Sequence, residues 1–378
     1  MKDTSAVECG YTWLAEWERH EATWIAWPYR ESTWPGRLQS ILPITEKIIR
    51  TLAEVETVHV LGGPSETFQL AAETLAGVES VHVHPIPTND VWIRDYGPTF
   101  LVNPKSKKLG AVRWIFNAWG NKYHPHDDDA NASKRICNGL DSKGKWHFDP
   151  RSNTEPIASF GSDLVCEGGA LETDGEGTLL STSSAVVTGT RNPYRSHEQI
   201  EREFKRMLGI EKVLWIDGGE LAGDDTDSHI DQLVRFVRPT VVLAAVSSTS
   251  DDSNAPHLAK QYRVLRESTD AKNRELEIIP LRTPPPRMVQ GRRVPESYCN
   301  YYLGNGIVIV PQFGYRSTDS AALGILQEQY PDRVIIPIDA SDFIIGLGAF
   351  HCATQQQPAV YQVHRATVVR KPTVSDVR

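Results

Sequence analysis

Short apolar runs alternating with stretches of helical spacing constrain this chain most. Thr57–Leu61 is an apolar run ended by Gly62-Gly63-Pro64. The segment before it, 41–53, carries apolar residues at Ile41, Ile44, Ile48, Ile49 and Leu52, one face of a helix. The same order returns along the chain: helix at 68–75 before strand at 78–83, helix at His197–Leu208 before strand at 212–216, helix at 259–267 before strand at 277–279, and helix at 321–330 before strand at 333–337. Residues 22–27 read as a strand stopped by Pro28, and the Val- and Ile-rich 333–345 as a buried strand. Such alternation predicts an α/β or mixed α+β chain. There is no repeat of fixed period and no clear domain boundary, so 1–378 reads as one domain with a polar tail after Arg365.

Composition excludes several classes. Formal charge is −8 from 40 basic and 48 acidic residues, which is no nucleic-acid footprint. No glycine-rich phosphate loop follows a strand. No apolar run approaches the roughly 20 residues of a membrane helix, and residues 1–10 lack an apolar signal core. The five cysteines (Cys9, Cys137, Cys166, Cys299, Cys352) are scattered, odd in number and without CxxC spacing. That argues against a disulfide framework and a structural zinc, and for a reducing, cytoplasmic setting. The early tryptophans (Trp13, Trp17, Trp24, Trp27, Trp34) read as core and lid rather than cofactor stackers. Residues 120–155 have little periodic apolar content and read as a surface excursion. Its His124-x-His126 before Asp127-Asp128-Asp129 fits either a metal site or a solvated acidic face. The proline- and arginine-rich loop 283–293 reads as exposed, and with the excursion it is a candidate rim over a pocket.

Four polar clusters carry candidate chemistry. Cys352 follows Gly346 and Gly348, beyond an apolar run, where a turn could present its thiol; a small buried hydrophobe is the alternative. In Asn89-Asp90-Val91-Trp92-Ile93-Arg94-Asp95, a turn near Arg94-Asp95 would let Trp92 and Asp95 line one pocket. A carboxylate beside an aromatic wall suits a flat delocalised cation, whereas an Arg94–Asp95 ion pair is the structural alternative. Glu167 before Gly168-Gly169 is either a turn residue or an inward carboxylate, and Asp174-Gly175-Glu176-Gly177 reads as a hairpin turn. His229-x-Asp231 would share one face of a strand and suits acid–base work. Together these supply a thiol, a histidine and surplus acids, with no metal motif. Excess acid would raise the thiol pKa unless a cation neutralises it, which points to a guanidinium substrate.

The ordered motifs resemble the agmatine deiminase and bacterial-type peptidylarginine deiminase family of the guanidino-modifying superfamily. The matches run from Glu16-Trp17-Glu18 through Asn89-Asp90-x-Trp92-x-Arg94-Asp95-x-Gly97-Pro98, Phe116-Asn117-Ala118-Trp119-Gly120, Glu167-Gly168-Gly169, Gly223-Asp224-Asp225-Thr226, His229-Ile230-Asp231 and Tyr298-x-Asn300-x-Tyr302 to His351-Cys352-x-Thr354-Gln355-Gln356-Gln357-Pro358. The resemblance spans about 10–362, leaving 363–378 as a tail. It implies a five-bladed α/β propeller of ββαβ units around a central pocket. It implies cofactor-free hydrolysis of a guanidinium through a cysteine thiouronium, with a small guanidinium compound as partner, no metal, and a homodimer compatible with it. By motif, Cys352 is the nucleophile, His229 the general acid/base, and Asp95 and Asp231 grip the guanidinium. Trp92, Glu167, Asp90, Arg94, Asp225 and Asn300 are the substrate-binding candidates. Two stretches depart from the common agmatine deiminase patterns: Gly348-Ala349-Phe350-His351-Cys352 where Gly-Gly-Asn-Ile-His-Cys is usual, and Glu167-Gly168-Gly169-Ala170-Leu171-Glu172 where Glu-Gly-Gly-Ser-Ile-His is usual. The catalytic positions survive both departures, so deimination stands as the expectation, with agmatine as the leading substrate, peptidyl or free arginine as the alternative, and a non-catalytic guanidinium-binding protein behind them. Glu172 reads as a surface residue or a charge for a distal amine.

Overall fold

A computed structural model of the chain describes residues 4–147, 156–216 and 221–361. Among these the strands form five sheets of three or four strands, plus the small hairpin Met288–Val289 with Arg292–Arg293. Each of the five sheets contains one antiparallel pair and then a parallel strand reached through a helix. Thr99–Asn103 pairs antiparallel with Lys108–Ile115, which pairs parallel with Ala158–Val165 beyond helix Asp127–Gly139. Glu172–Thr173, Thr178–Ser181 and Lys212–Trp215 repeat this around helix His197–Leu208. Val234–Arg238, Val241–Val246 and Glu277–Arg282 do so around Ala255–Arg266, and Tyr302–Gly304, Ile307–Gln312 and Val334–Asp339 around Arg316–Gln329. In the remaining sheet the antiparallel partner comes from the far end of the chain. Thr354–Pro358 pairs with His20–Ala26, which continues parallel to Thr57–Leu61 and Val81–His84.

Local chemistry explains the clearest elements. Helix His197–Leu208 starts at a capping box, with Ser196 accepting from Gln199 N and the Gln199 side chain from Ser196 N, and ends at left-handed Gly209. Helix Leu38–Ala53 buries Ile41, Ile48, Ile49 and Leu52 on one stripe. The largest core joins Trp24, Trp27, Trp34, Trp92 and Phe343 with the strand valines and isoleucines. The three tryptophans at 24, 27 and 34 are thus core residues, as expected.

Three expectations need correction. The run 333–345 is not one strand: the strand ends at Asp339, and Phe343–Gly346 is a short 3-10 turn. An apolar run alone does not distinguish the two. The 120–155 excursion contains the helix Asp127–Gly139, which buries Ala132, Ile136 and Cys137. Its three leading aspartates sit in the first turn, where the helix dipole favours them. Asp129 there accepts from Asn89 N at 2.7 Å, so it belongs to this packing rather than to a metal site with His124 and His126. The end of the excursion (148–155) and the tail from 362 lie outside the described residues. Among the described residues no helix is long and apolar enough to cross a membrane.

Candidate active site

Six segments, 30–35, 90–95, 119–123, 225–226, 289–294 and 345–352, line one cavity of about 470 Å³. After Trp92 the chain makes a single helical turn, Ile93–Tyr96, rather than the extended segment that alternate-face spacing assumes. That turn directs both Trp92 and Asp95 into the cavity wall, beside Cys352. Trp92 is backed by Trp34 and Phe343, with ring centroids 5.7 and 6.0 Å away. Gly348 is required here, because a Cβ would lie 2.6 Å from the Trp92 ring. Gly169 is tighter in consequence: its Cβ would meet His229 Nδ1 at 2.6 Å and Asp95 Oδ1 at 2.7 Å. Gly169 therefore makes room for the charged groups themselves, while a Cβ at Gly168 would meet the backbone carbonyl of Arg94.

His229 and Asp231 do not lie on a strand. His229 precedes the 3-10 turn Ile230–Gln232, and Asp227 and Ser228 before it adopt left-handed φ of 67° and 72°. Asp224 stabilises that bend by accepting from Thr226 Oγ1 at 2.7 Å and Ser228 N at 2.6 Å. His229 is completely buried between two carboxylates: Nδ1 is 3.6 Å from Asp95 Oδ1 and Nε2 is 3.6 Å from Glu167 Oε2. These are ion-pair rather than hydrogen-bond distances, and neither nitrogen has a hydrogen-bond partner among the described residues. Glu167 is itself gripped by Arg191, whose Nε donates to both its oxygens at 2.8 Å.

Cys352 is nearly buried, with its Sγ accepting from Asn300 Nδ2 at 3.1 Å and standing 3.4 Å from Asp231 Oδ2. Asn300 also takes the backbone N–H of His351 and Cys352 on its Oδ1, at 3.1 and 3.3 Å. It therefore fixes the nucleophile loop from behind. Asp95 is oriented by Trp119 Nε1 at 2.9 Å and Gly169 N at 2.9 Å.

The electrostatics follow from burial and proximity. Burial opposes a charge on His229, but Asp95, then Glu167 and Asp231, outweigh it and raise its pKa to about 9. Burial, with repulsion from Asp231 and Glu167, lifts Asp95 to about 6 despite His229. Burial likewise brings Asp90 to about 6. Burial followed by Asp231 and Asp95 holds the Cys352 thiol well above its ordinary range. For Asp231 burial is overcome, chiefly by the hydrogen bond and charge of His351, and its pKa is lowered. Without a bound cation the site thus has a protonated thiol and a charged imidazole.

The structure brings most of the predicted residues together around the cavity and sets two apart from its wall. Cys352, Asp95, Trp92, Asp90 and Asp225 line the cavity, and His229, Asp231 and Glu167 are buried around its charged end. Arg94 does not line it: its guanidinium faces away, donating to Gln356 Oε1 at 2.6 Å and His351 O at 3.3 Å. Asn300 touches the thiol rather than the cavity. Loop 283–293 supplies Val289, Gln290 and Arg292 to the mouth, opposite Tyr123 and Asp225, consistent with the rim expectation. Glu172 is neither exposed nor near a distal amine; it is buried and accepts from Arg235 Nε at 3.1 Å and Phe236 N at 2.8 Å. Sequence reasoning gave no role to Glu16, Trp119, Arg191, Arg235 or His351. Glu16, Trp119 and His351 stood inside quoted motifs, but only the folded chain shows what they touch.

The chain is similar to known deiminases in sequence and in fold. The solved agmatine deiminase of Enterococcus faecalis superposes with a TM-score of 0.82 at 28% identity, covering 96% of this chain and 99% of its own. The C. jejuni agmatine deiminase, solved as a cysteine-to-serine variant with substrate bound, gives 0.80 at 26% identity over 92% and 96%. A Legionella pneumophila (strain Paris) relative, provisionally named an agmatine deiminase, is 33% identical over 362 residues, covering 96% of this chain and 99% of its own. The Porphyromonas-type peptidyl-arginine deiminase family matches residues 12–358, nearly the whole described chain, and the chain belongs to that family.

Proposed function

We propose that this protein hydrolyses agmatine to N-carbamoylputrescine and ammonia. The observation that carries the reading is a buried surplus of negative charge beside the thiol. Asp231 is completely buried and its Oδ1 lacks a hydrogen-bond partner among the described residues, while Asp95 and Glu167 flank the imidazole of His229. Unpartnered buried groups are costly, so the site is built for a ligand that supplies several N–H donors and positive charge. A guanidinium does both, with Asp95 and Asp231 as its grips and Trp92 as the wall for its face. Asp90 and Asp225 in the same cavity suit a second cation at the other end of the ligand, as in agmatine.

The chemistry follows from that placement. A cation among Asp95 and Asp231 offsets the repulsion that keeps Cys352 protonated, so binding favours the thiolate. The thiolate adds to the central carbon. The C–N bond then breaks as protonated His229 gives its proton to the leaving ammonia. A covalent S-alkylthiouronium remains. His229 takes a proton from water, hydroxide adds to the same carbon, and the C–S bond breaks to release the ureido product and the thiolate. No cofactor is needed to balance these steps. In this reading the five sheets are the blades of a propeller around the cavity, the chain is one catalytic domain, and a reducing cytoplasm suits the free thiol.

Ammonia release from agmatine, free arginine and a blocked arginyl peptide tests the proposal, with Cys352→Ala as control. Turnover of agmatine, abolished in Cys352→Ala, is expected. Preference for either arginine compound would move the chain to arginine deimination, and no ammonia from any of them would sink the reading.

A further inference from the structure

We infer that His351, the residue before the nucleophile, is a positioning residue: protonated on both nitrogens between two carboxylates, it ties down one oxygen of Asp231 and leaves the other free for the guanidinium. The inference deepens the deiminase reading and rests on it. The His351 ring is 1% exposed. Its Nδ1 is 2.8 Å from Asp231 Oδ2 and its Nε2 is 2.8 Å from Glu16 Oε2. A neutral imidazole has one N–H and could donate to only one of them. The other bond would then need a protonated carboxyl, and both acids are in cationic company. Glu16 Oε2 also accepts from Arg235 Nη2 at 2.8 Å and lies 3.7 Å from Arg94 Nη2. A proton on Glu16 Oε2 would compete with the Arg235 donor already there, and one on Asp231 Oδ2 with Asn300 Nδ2 at 3.2 Å. We therefore assign both protons to His351.

This fixes how Asp231 meets its ligand. Oδ2 takes His351 Nδ1 and, at 3.2 Å, Asn300 Nδ2, and it faces Cys352 Sγ; Oδ1 is buried without a partner among the described residues. Rotating the carboxylate would break two hydrogen bonds, so the free oxygen stays presented. The imidazolium also places positive charge one residue from the thiol, against the repulsion of Asp231 and Asp95. The charged groups facing this pair are Glu16, Glu172, Arg94 and Arg235 on the His351 side, and His229, Asp95 and Cys352 on the Asp231 side.

Two substitutions separate the ends of the ring. The Asn amide of His351→Asn reaches about where Nδ1 stood, keeping a donor for Asp231; that of His351→Gln reaches about where Nε2 stood and serves only Glu16. The expected result is that His351→Asn keeps kcat for agmatine within about tenfold, while His351→Gln loses about a hundredfold, the usual scale for a displaced reacting group. The acid limb of its kcat/KM profile should also move to higher pH, because Asp231 has lost its cation. Equal losses with an unmoved profile would mean a packing role and overturn the proposal. Ring 15N resonances of histidine-labelled wild-type protein at pH 7.5 give a readout independent of turnover and of variant folding. Two protonated nitrogens on His351 uphold the clamp and one overturns it. Should wild type release no ammonia from any guanidine, the deiminase reading fails while this measurement still decides the clamp.

Discussion

The two ends of the cavity treat charge in opposite ways. At the thiol end Asp231, His351, Glu16, Arg235 and Glu172 form a chain of alternating sign that is almost wholly buried. Arg235 there spends its other donors on the carbonyls of Cys299 and Tyr301, at 3.0 and 2.9 Å. At the mouth Asp225 is bonded by Tyr123 and lies 3.4 Å from Arg292, whose side chain is 56% exposed. Water screens the second pair and not the first. Buried charges hold a fixed geometry and are costly to unpair, whereas rim charges are cheap to rearrange. Under the proposed function, reaction chemistry belongs at the first end and substrate choice at the second.

Breaking the buried chain should have the largest effect. Arg235→Met takes from buried Glu172 its one ion-pair partner among the described residues and leaves Glu16 only His351 and the more distant Arg94, at a cost of about 3–5 kcal/mol. Chemical denaturation should show that loss, and a change under about 1 kcal/mol would mean that water or a neighbour replaces the guanidinium.

A pH series probes the same end. The folded pKa of His229 is raised to about 9 from an ordinary value near 6.5. The folded protein therefore holds this proton more tightly than the unfolded chain. Its contribution to stability is complete below about pH 6.5 and is lost as pH rises through about 9, on the order of 3 kcal/mol in total. Thermal unfolding between these pH values should show the decline in wild type and a flatter curve in His229→Gln. Equal slopes would place the decline elsewhere.

The rim should answer least. Arg292→Ala removes a screened pair worth about 0.2–1 kcal/mol, so stability should hardly change. Freed of Arg292, Asp225 should draw an amine-bearing substrate more strongly. KM for agmatine should fall by up to about fivefold with kcat unchanged, and the gain should shrink at high salt. A fall in kcat instead would bring the rim into the chemistry and erase the contrast between the two ends.

Elements whose signals are local were legible in the sequence. Helix His197–Leu208 is bounded by its own cap residues, and Thr57–Leu61 by Gly62-Gly63-Pro64. Polar segments misled. Helix Asp127–Gly139 has only a narrow apolar stripe among Asp, Asn, Ser and Lys, so its spacing is weak. Thr354–Pro358, polar in every residue but its proline, is a buried strand whose amides find distant partners. Gln357 Oε1 accepts from Trp24 Nε1 at 2.9 Å and its Nε2 donates to Gly144 O at 2.9 Å.

For the site, the family resemblance carried by motif order pointed to Cys352, His229, Asp95 and Asp231, which the fold gathers around one cavity. The residue types also suggested a cationic substrate, since acid in excess around a thiol needs neutralising. The sequence by itself therefore determined the alternation of elements and the inventory of reactive groups. Only the tertiary structure decided that Arg94 turns away, that Glu172 is buried against Arg235, and that His351 bridges Glu16 to Asp231. The physical reason is range. Caps, turns and periodicity act within a few residues, whereas an ion pair depends on distance in space, and residues 16 and 351 meet only when the strands from the two ends of the chain pair.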